Sequence, residues 1–382
     1  MSRRIKCPDC KQLCGKGKAP VAVVQRLEVL YRKLLKCGPE SPLIKYLPRD
    51  IFDAIKRKAT IYDMNLLDCL QAGFTHYEYV GLYAADPDCY NTFAKLIDMV
   101  LQVDYNFKEE DIHPEIDFGD PEKLGNLDPS GTYVMSTRVR CSRALKGYPF
   151  NTGLSEEQYL EIETRIEAAL LRLTGDLEGT YVRIKDMSDD EIKSMRREHT
   201  LFPEITEVLE TAKTGECWPE GRGYFTNEKR NFFAWVNEKD HLRMVAMEKG
   251  ANLGQIFQTM VNALTQLEEN LRFARHERYG YLSSSPFSLG TGIKGSVHMN
   301  LPKLGKDKPK LFKAAEQNEL LLRGIDCNYE TVKSGKFDLS TKQAIGLTEI
   351  EILQKMVKSV KGMIKAEKEF VLPKTIKEGC LI

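Results

Sequence analysis

Three short stretches of this 382-residue chain concentrate side chains able to handle phosphate. The first, Ser136-Thr137-Arg138-Val139-Arg140, reads as part of a strand and sets two arginines two positions apart. Both therefore project from one face. Arginine's planar fork makes two parallel bonds to phosphate oxygens, so such a pair suits an anionic ligand. The second, Asn237-Glu238-Lys239-Asp240-His241-Leu242-Arg243, brings carboxylates and cations together. The third, Ser285-Pro286-Phe287-Ser288-Leu289-Gly290-Thr291-Gly292, offers hydroxyls and glycines that let backbone approach a phosphate closely. A GxGxxG search also finds Gly290 to Gly295. A dinucleotide fingerprint follows a strand and opens a helix, whereas Gly295 leads into the alternating run Val297, Met299, Leu301. No GxxxxGK[ST] loop occurs, which excludes a P-loop enzyme by motif.

The chain as a whole carries 56 basic and 55 acidic residues. That balance gives no electrostatic case for nucleic acid or a membrane surface, so phosphate binding has to come from local clustering. No apolar run reaches the ~18 residues a transmembrane helix needs. The basic start Met1-Ser2-Arg3-Arg4-Ile5-Lys6 is followed by no apolar segment, which argues against a secretory signal. Cys7, Asp9 and Cys10 weigh against a mitochondrial presequence, and a cytoplasmic protein is expected. The ten cysteines read as reduced thiols. Cys7, Cys10 and Cys14 form a weak zinc candidate, because a structural site wants a fourth ligand and Cys37 lies beyond a predicted helix. Cys380 is third from the end, one place off for prenylation.

The elements that position these stretches follow from periodicity. Residues 1–20 read as a basic, Cys-containing extension. From Val21 to Val100 the patterns are helical, with Leu27, Leu30, Tyr31 and Leu34 on one face and no convincing strand. A helical domain is therefore expected over 21–112. An acidic linker rich in proline and glycine follows over 113–130. Tyr133 to Arg140 reads as a strand, and Ser155 with Gln158 caps a helix. Phe232 to Val236 follows a hairpin turn at Asn227-Glu228-Lys229-Arg230, and Leu242 to Met247 is a further strand. Leu253, Phe257, Met260, Leu264 and Leu267 mark a long helix. Thr348 and Glu351 cap a last one. The expected fold is α+β: a small all-helical domain, then a larger domain over 131–370 with an antiparallel sheet flanked by helices, and a tail over 371–382.

Together the three stretches resemble the phosphagen (guanidino) kinases, with arginine kinase the nearest type. Asp117-Phe118-Gly119-Asp120, Gly147-Tyr148-Pro149-Phe150-Asn151 and Gly346-Leu347-Thr348-Glu349 resemble it too. The resemblance runs from about Val21 to Phe370 and implies the same two-domain division. It also implies that Mg2+ with ATP or ADP is bound. By resemblance Arg138, Arg140, Arg243, Lys294 and Arg323 contact nucleotide phosphates. The family usually has arginine where Lys294 stands. His199 and His298 match histidines of the adenine and ribose pocket. Glu238 and Asp240 match carboxylates that could order magnesium-bound water.

The acceptor side departs from the family. Active members hold the guanidinium between two glutamates, and here those positions are Lys239 and Asn328. Two like charges at about 4 Å repel by ~4 kcal/mol at an intermediate dielectric. The family's reactive cysteine is Ser285, its asparagine is Ser288, and Phe287 fills a small polar position. Serine stays protonated where a thiolate would orient the guanidinium. The acceptor loop around Glu78, Tyr79, Val80 and Tyr83 looks one residue short, with Tyr79 where glycine is usual. Glu330 could replace Asn328 only if its loop shifts.

Three readings stay open. One is a nucleotide-binding family member whose guanidino transfer is weak or lost, acting beside a protein partner or a related kinase subunit. Another is an active ATP:guanidino phosphotransferase with a rebuilt acceptor site, taking arginine, an analogue or an anionic acceptor. The last is a structural protein with no nucleotide.

Overall fold

The computed structural model describes residues 17–198, 200–324 and 335–370. Cys7, Cys10, Cys14, His199, Asn328 and Glu330 lie outside the described residues, as does the tail.

The N-terminal part is helical. Its main helices are α1 (Val21–Cys37), α2 (Leu66–Thr75) and α3 (Ala94–Tyr105). Leu27, Tyr31 and Leu34 of α1 are buried, at the spacing that periodicity gave. A capping box fixes the start of α2: Asn65 Oδ1 accepts from Leu67 N, and Asp68 Oδ2 accepts from Asn65 N. One expectation needs correction. Gly17–Lys18, in the segment read as an extension, pairs antiparallel with Lys58–Ala59, in the stretch read as strand-free. Two residues are too few to show an alternation. Glycine is required there, since a Cβ on Gly17 would stand 2.8 Å from Ala59 O.

The larger part is an eight-stranded, wholly antiparallel sheet. Its strands are β1 (Val134–Arg143), β2 (Gly179–Arg183), β3 (Gly223–Asn227), β4 (Phe232–Val236), β5 (Leu242–Lys249), β6 (Ile293–Asn300), β7 (Leu320–Gly324) and β8 (Lys336–Thr341). They lie in the order β7-β8-β6-β1-β5-β4-β3-β2. β1 runs on to Arg143, beyond the Arg140 expected, and β6 begins at Ile293, so Lys294 is a strand residue rather than a loop residue.

The sheet has two unlike faces. Val139, Cys141, Ala234, Met244, Ala246, Val297, Met299 and Leu339 belong to one buried apolar cluster. Residues of α4 (Glu156–Leu170), α5 (Leu253–Asn270), α6 (Lys308–Gln317) and α7 (Glu349–Glu369) complete that cluster. Each fully buried large apolar side chain contributes ~1.5–3 kcal/mol, so this face fixes the sheet's register. The alternate residues, Arg138, Arg140, Lys294, Ser296, His298 and Asp338, then fall on the other face. Capping boxes open α4 at Ser155 with Gln158 and α7 at Thr348 with Glu351, as the sequence suggested.

The two parts share contacts. Phe150, Tyr279, Leu282, Leu289 and Ile345 pack with the helical cluster. The segment 113–130 is tied down by His113 N to Arg278 O (2.9 Å) and Asp117 N to Glu349 Oε2 (2.9 Å). Among the described residues no helix is long and apolar enough to cross a membrane.

Candidate active site

Strand register assembles the polar face. β1 and β6 set Arg140 opposite Lys294, Arg138 opposite Ser296, and Ser136 opposite His298. β8 sets Asp338 opposite His298, and β7 sets Arg323 opposite Asp338. On the other side β5 brings Arg243 opposite Ser142, with Trp235 of β4 beyond it. Residues directly opposite in antiparallel strands point the same way. A cleft lined by Arg140, Ser142, Arg243, Phe287, Ser288, Lys294, Lys342 and Gln343 opens on this face.

The cations there differ in how they are held. Arg138 Nη2 pairs with Asp338 Oδ2 at 3.2 Å, and its Nε donates to Ser296 Oγ at 3.1 Å. His298 Nε2 lies 3.4 Å from the same Nη2. Arg243 Nη1 pairs with Glu238 Oε2 at 2.7 Å, and its guanidinium sits 5.7 Å from the Trp235 ring centre. Arg140 and Lys294 have no ion-pair partner among the described residues, and Arg140 Nε is buried without a hydrogen bond. Burial, with the charges of Arg138 and Arg243 beside it, pushes the Arg140 guanidinium down to about 9. Burial and the charges of Arg140, Arg323 and Arg243 push Lys294 down to about 8. Without a ligand this is a set of like charges held against mutual repulsion, which is the arrangement a polyanion would relieve.

The turn between β4 and β5 carries the second stretch. Asn237 adopts φ +56°, its N donates to His241 O at 2.9 Å, and its side chain donates to Tyr159 O and Gly221 O. His241 is buried, accepts from Leu145 N at 2.9 Å and lies 2.9 Å from Pro149 O. Burial pushes it down to about 4, so it is a neutral structural histidine. Both oxygens of buried Asp240 are engaged: Ser283 Oγ donates to them at 2.9 and 3.0 Å, and Ser284 N donates at 2.9 Å. Ser284 Oγ donates to Lys239 O at 2.9 Å. These bonds staple the Ser285 segment to the turn. The helical part joins the same point through Ala84 N to Ser284 O and Tyr90 OH to Ser283 O, both 2.6 Å.

Lys239 is half-buried between opposing influences. The carboxylate of Glu238 supports its charge, but burial and the charges of Arg243 and Arg323 prevail and lower it. Glu238 itself accepts from Arg243 and from Lys239 N at 2.9 Å. Burial alone would raise that carboxyl, and the charges of Arg243 and Lys239 overcome it and hold it low.

The acceptor loop is positioned by close packing. Gly73 N donates to Gly81 O, and a Cβ on Gly73 would stand 2.4 Å from Val80 O. Glu78 and Tyr79 are exposed, with Tyr79 at 50%. Tyr83 is instead half-buried and packs against Ala72, Val208 and Ala212.

Magnesium can be tested against this donor set. A hydrated cation needs acceptors for its water, and Glu238 and Asp240 were expected to provide them. Glu238 Oε2 accepts from Arg243 and from Lys239 N, while no described residue donates to its Oε1, and Asp240 accepts from Ser283 and Ser284. Among the described residues no group of three or more His, Cys, Asp or Glu can hold a metal. Glu238 Oε1 is therefore the oxygen that would accept from a magnesium-bound water.

Sequence reading overlooked Asp338, Ser296 and Lys342. The alternation Lys336-Phe337-Asp338-Leu339-Ser340 was the available signal for the first, since it marks a half-buried strand. Lys342 lies just past β8 and belongs to no motif.

Residues 161–370 match the model for the ATP:guanido phosphotransferase C-terminal catalytic domain, and residues 39–102 match that for the N-terminal domain. An arginine kinase of Plodia interpunctella is 40% identical over 91% of this chain and 98% of its own length. Arginine kinase Lit v 2.0101 of Penaeus vannamei is 40% identical over 92% and 99%. Among solved structures, the substrate-free duplicated taurocyamine kinase of Schistosoma mansoni has a TM-score of 0.83 at 31% identity, covering 91% of this chain and 49% of that one. A lombricine kinase has a TM-score of 0.78 at 28% identity, covering 85% and 91%.

Proposed function

The chain belongs to the ATP:guanido phosphotransferase, or phosphagen kinase, family, and from that premise we propose that it binds adenine nucleotide while its guanidino phosphotransfer is weak or lost. The observation that carries this reading is Lys239. It places a cation within reach of the charges of Arg243 and Arg323, where the family receives a guanidinium. An arriving guanidinium at about 4 Å meets ~4 kcal/mol of repulsion. Ser285 adds no negative charge to offset it. Nucleotide binding is supported by Arg140 and Lys294, which a phosphate would neutralise. Such a chain would act as a nucleotide-responsive partner of another protein or of a related kinase subunit, in the cytoplasm.

Phosphorus NMR tests the proposal. The purified protein is mixed with ATP, with and without magnesium, and with guanidino compounds beginning with L-arginine. Broadened nucleotide signals and no phosphoramidate are expected. A phosphoramidate signal above the protein-free control would establish the second reading, an active arginine kinase-type enzyme with a rebuilt acceptor site. That reading is favoured by the 40% identity to arginine kinases along nearly the whole chain.

A further inference from the structure

We propose that the solvent face of α1 docks the protein on an anionic phospholipid surface. This face shares no residue with the phosphate cleft, so the inference stands independently of the nucleotide reading.

Three observations carry it. The first is the make-up of the face. α1 buries Leu27, Tyr31 and Leu34 and leaves its other side open to solvent. There Val29 is 64% exposed. Helical spacing puts Arg26 one turn before it and Arg32 and Lys33 one turn after, with Lys36 a turn further on. All four cations are exposed, and none has an ion-pair partner among the described residues. Glu28, the helix's single carboxylate, is taken up elsewhere: it accepts from Arg49 Nη1 at 3.0 Å and Nη2 at 2.9 Å and pairs with Lys56. The solvent face therefore offers cations and methyl groups and no free carboxylate.

The second is the concentration of charge at this end of the sequence. Up to Cys37 there are ten basic residues and two acidic, whereas the whole chain is nearly balanced. The basic extension enters α1 through Lys18, which stands directly opposite Lys58, so two like charges share a face.

The third concerns what could cover the face. Val21, Val29 and Leu35 are exposed but spread over roughly 120° of the helix, with Arg32 and Lys36 between them. A partner helix wants an unbroken apolar stripe. A bilayer interface does not, because apolar tips can enter the acyl boundary while long cationic stems reach up to lipid phosphates. Each Lys or Arg held near an anionic leaflet raises partitioning about fivefold. The attraction dies away within ~10 Å at 0.1 M salt, so a chain of balanced total charge can still bind through one face.

Cosedimentation of the full chain with extruded vesicles tests this. One set is phosphatidylcholine alone, and the other carries about one-third phosphatidylserine. The wild type should pellet only with the anionic vesicles and be released as NaCl rises from about 0.1 M to about 1 M. The combined variant Arg26→Gln, Arg32→Gln, Lys33→Gln should partition about a hundredfold more weakly. Val29→Ser, which leaves every charge in place, should weaken it by about threefold or more. Failure of the wild type to pellet with anionic vesicles would overturn the inference. So would a triple variant that binds as the wild type does, since the attraction would then lie outside α1. If Val29→Ser changes nothing and polyglutamate displaces the wild type from vesicles, the face belongs to an acidic protein partner and the lipid assignment fails. Circular dichroism shows whether a variant has folded, and the comparison of the two lipid compositions stands without any variant.

Discussion

Replacing Arg140 by methionine should stabilise the empty protein and cripple nucleotide binding. Arg140 is half-buried, has no ion-pair partner among the described residues, and leaves its buried Nε without a hydrogen bond. Burial and its cationic neighbours hold its guanidinium at about 9 against an ordinary 12.5. At about 1.4 kcal/mol per pH unit, that depression bounds the cost of the folded-state charge at ~5 kcal/mol. The sign is set by linkage. At pH 7 the group is protonated in both states and the full penalty is present. Screening and relaxation reduce the bound, so removal of the charge should yield ~1–3 kcal/mol. Methionine keeps most of the side-chain volume, so no large cavity opposes that gain. The melting temperature should rise by roughly 1–4 °C. ADP binding should meanwhile weaken by about tenfold to a hundredfold, the value of a charge-assisted hydrogen bond. Thermal melts with and without ADP read both effects in one experiment, because a ligand at about 100 times its Kd adds ~2.7 kcal/mol to the wild type. A variant that melts lower than the wild type without ligand would refute the strained-cation argument. One that melts higher but binds ADP as well as the wild type would refute the phosphate assignment.

Three further outcomes are expected. Lys294 is held down to about 8, so ADP affinity should fall as pH rises from about 7 to about 9, approaching tenfold per pH unit at the upper end, and Lys294→Arg should flatten the profile; titrations showing a pH-independent wild-type Kd would contradict this. Asp240→Ala strands the Ser283 hydroxyl and the Ser284 amide, at ~1–3 kcal/mol for each buried group left unpaired; urea unfolding should show the loss, whereas an unchanged midpoint would mean the staple is dispensable. Gly73→Ala drives a Cβ to within 2.4 Å of Val80 O, so stability should fall by ~1–3 kcal/mol while the ADP Kd stays as in the wild type; a changed Kd would tie the acceptor loop to the nucleotide side.

Much of the architecture was legible because its signals are local. Helical spacing in α1, the capping boxes of α4 and α7, and the turn between β3 and β4 each lie within a few residues of sequence. The pair Gly17–Lys18 with Lys58–Ala59 was not legible, since two residues carry no period. β8 was missed although Phe337, Asp338, Leu339 and Ser340 alternate, because the run is short.

The site divides along the same line. That Arg138 and Arg140 share a face follows from strand alternation, a property of the backbone itself. That Lys239 breaks the expected acceptor chemistry follows from its identity within a recognisable stretch. Tertiary structure alone decided that Asp338, 200 residues away in sequence, neutralises Arg138 while Arg140 and Lys294 face each other unneutralised. It alone decided that Asp240 anchors Ser283 and Ser284, tying the Ser285 segment to the turn between β4 and β5. Side-chain direction is set by neighbouring dihedrals. The partner a charge finds is set by which distant strand or loop packs beside it, and that depends on burying the opposite, apolar face of the sheet.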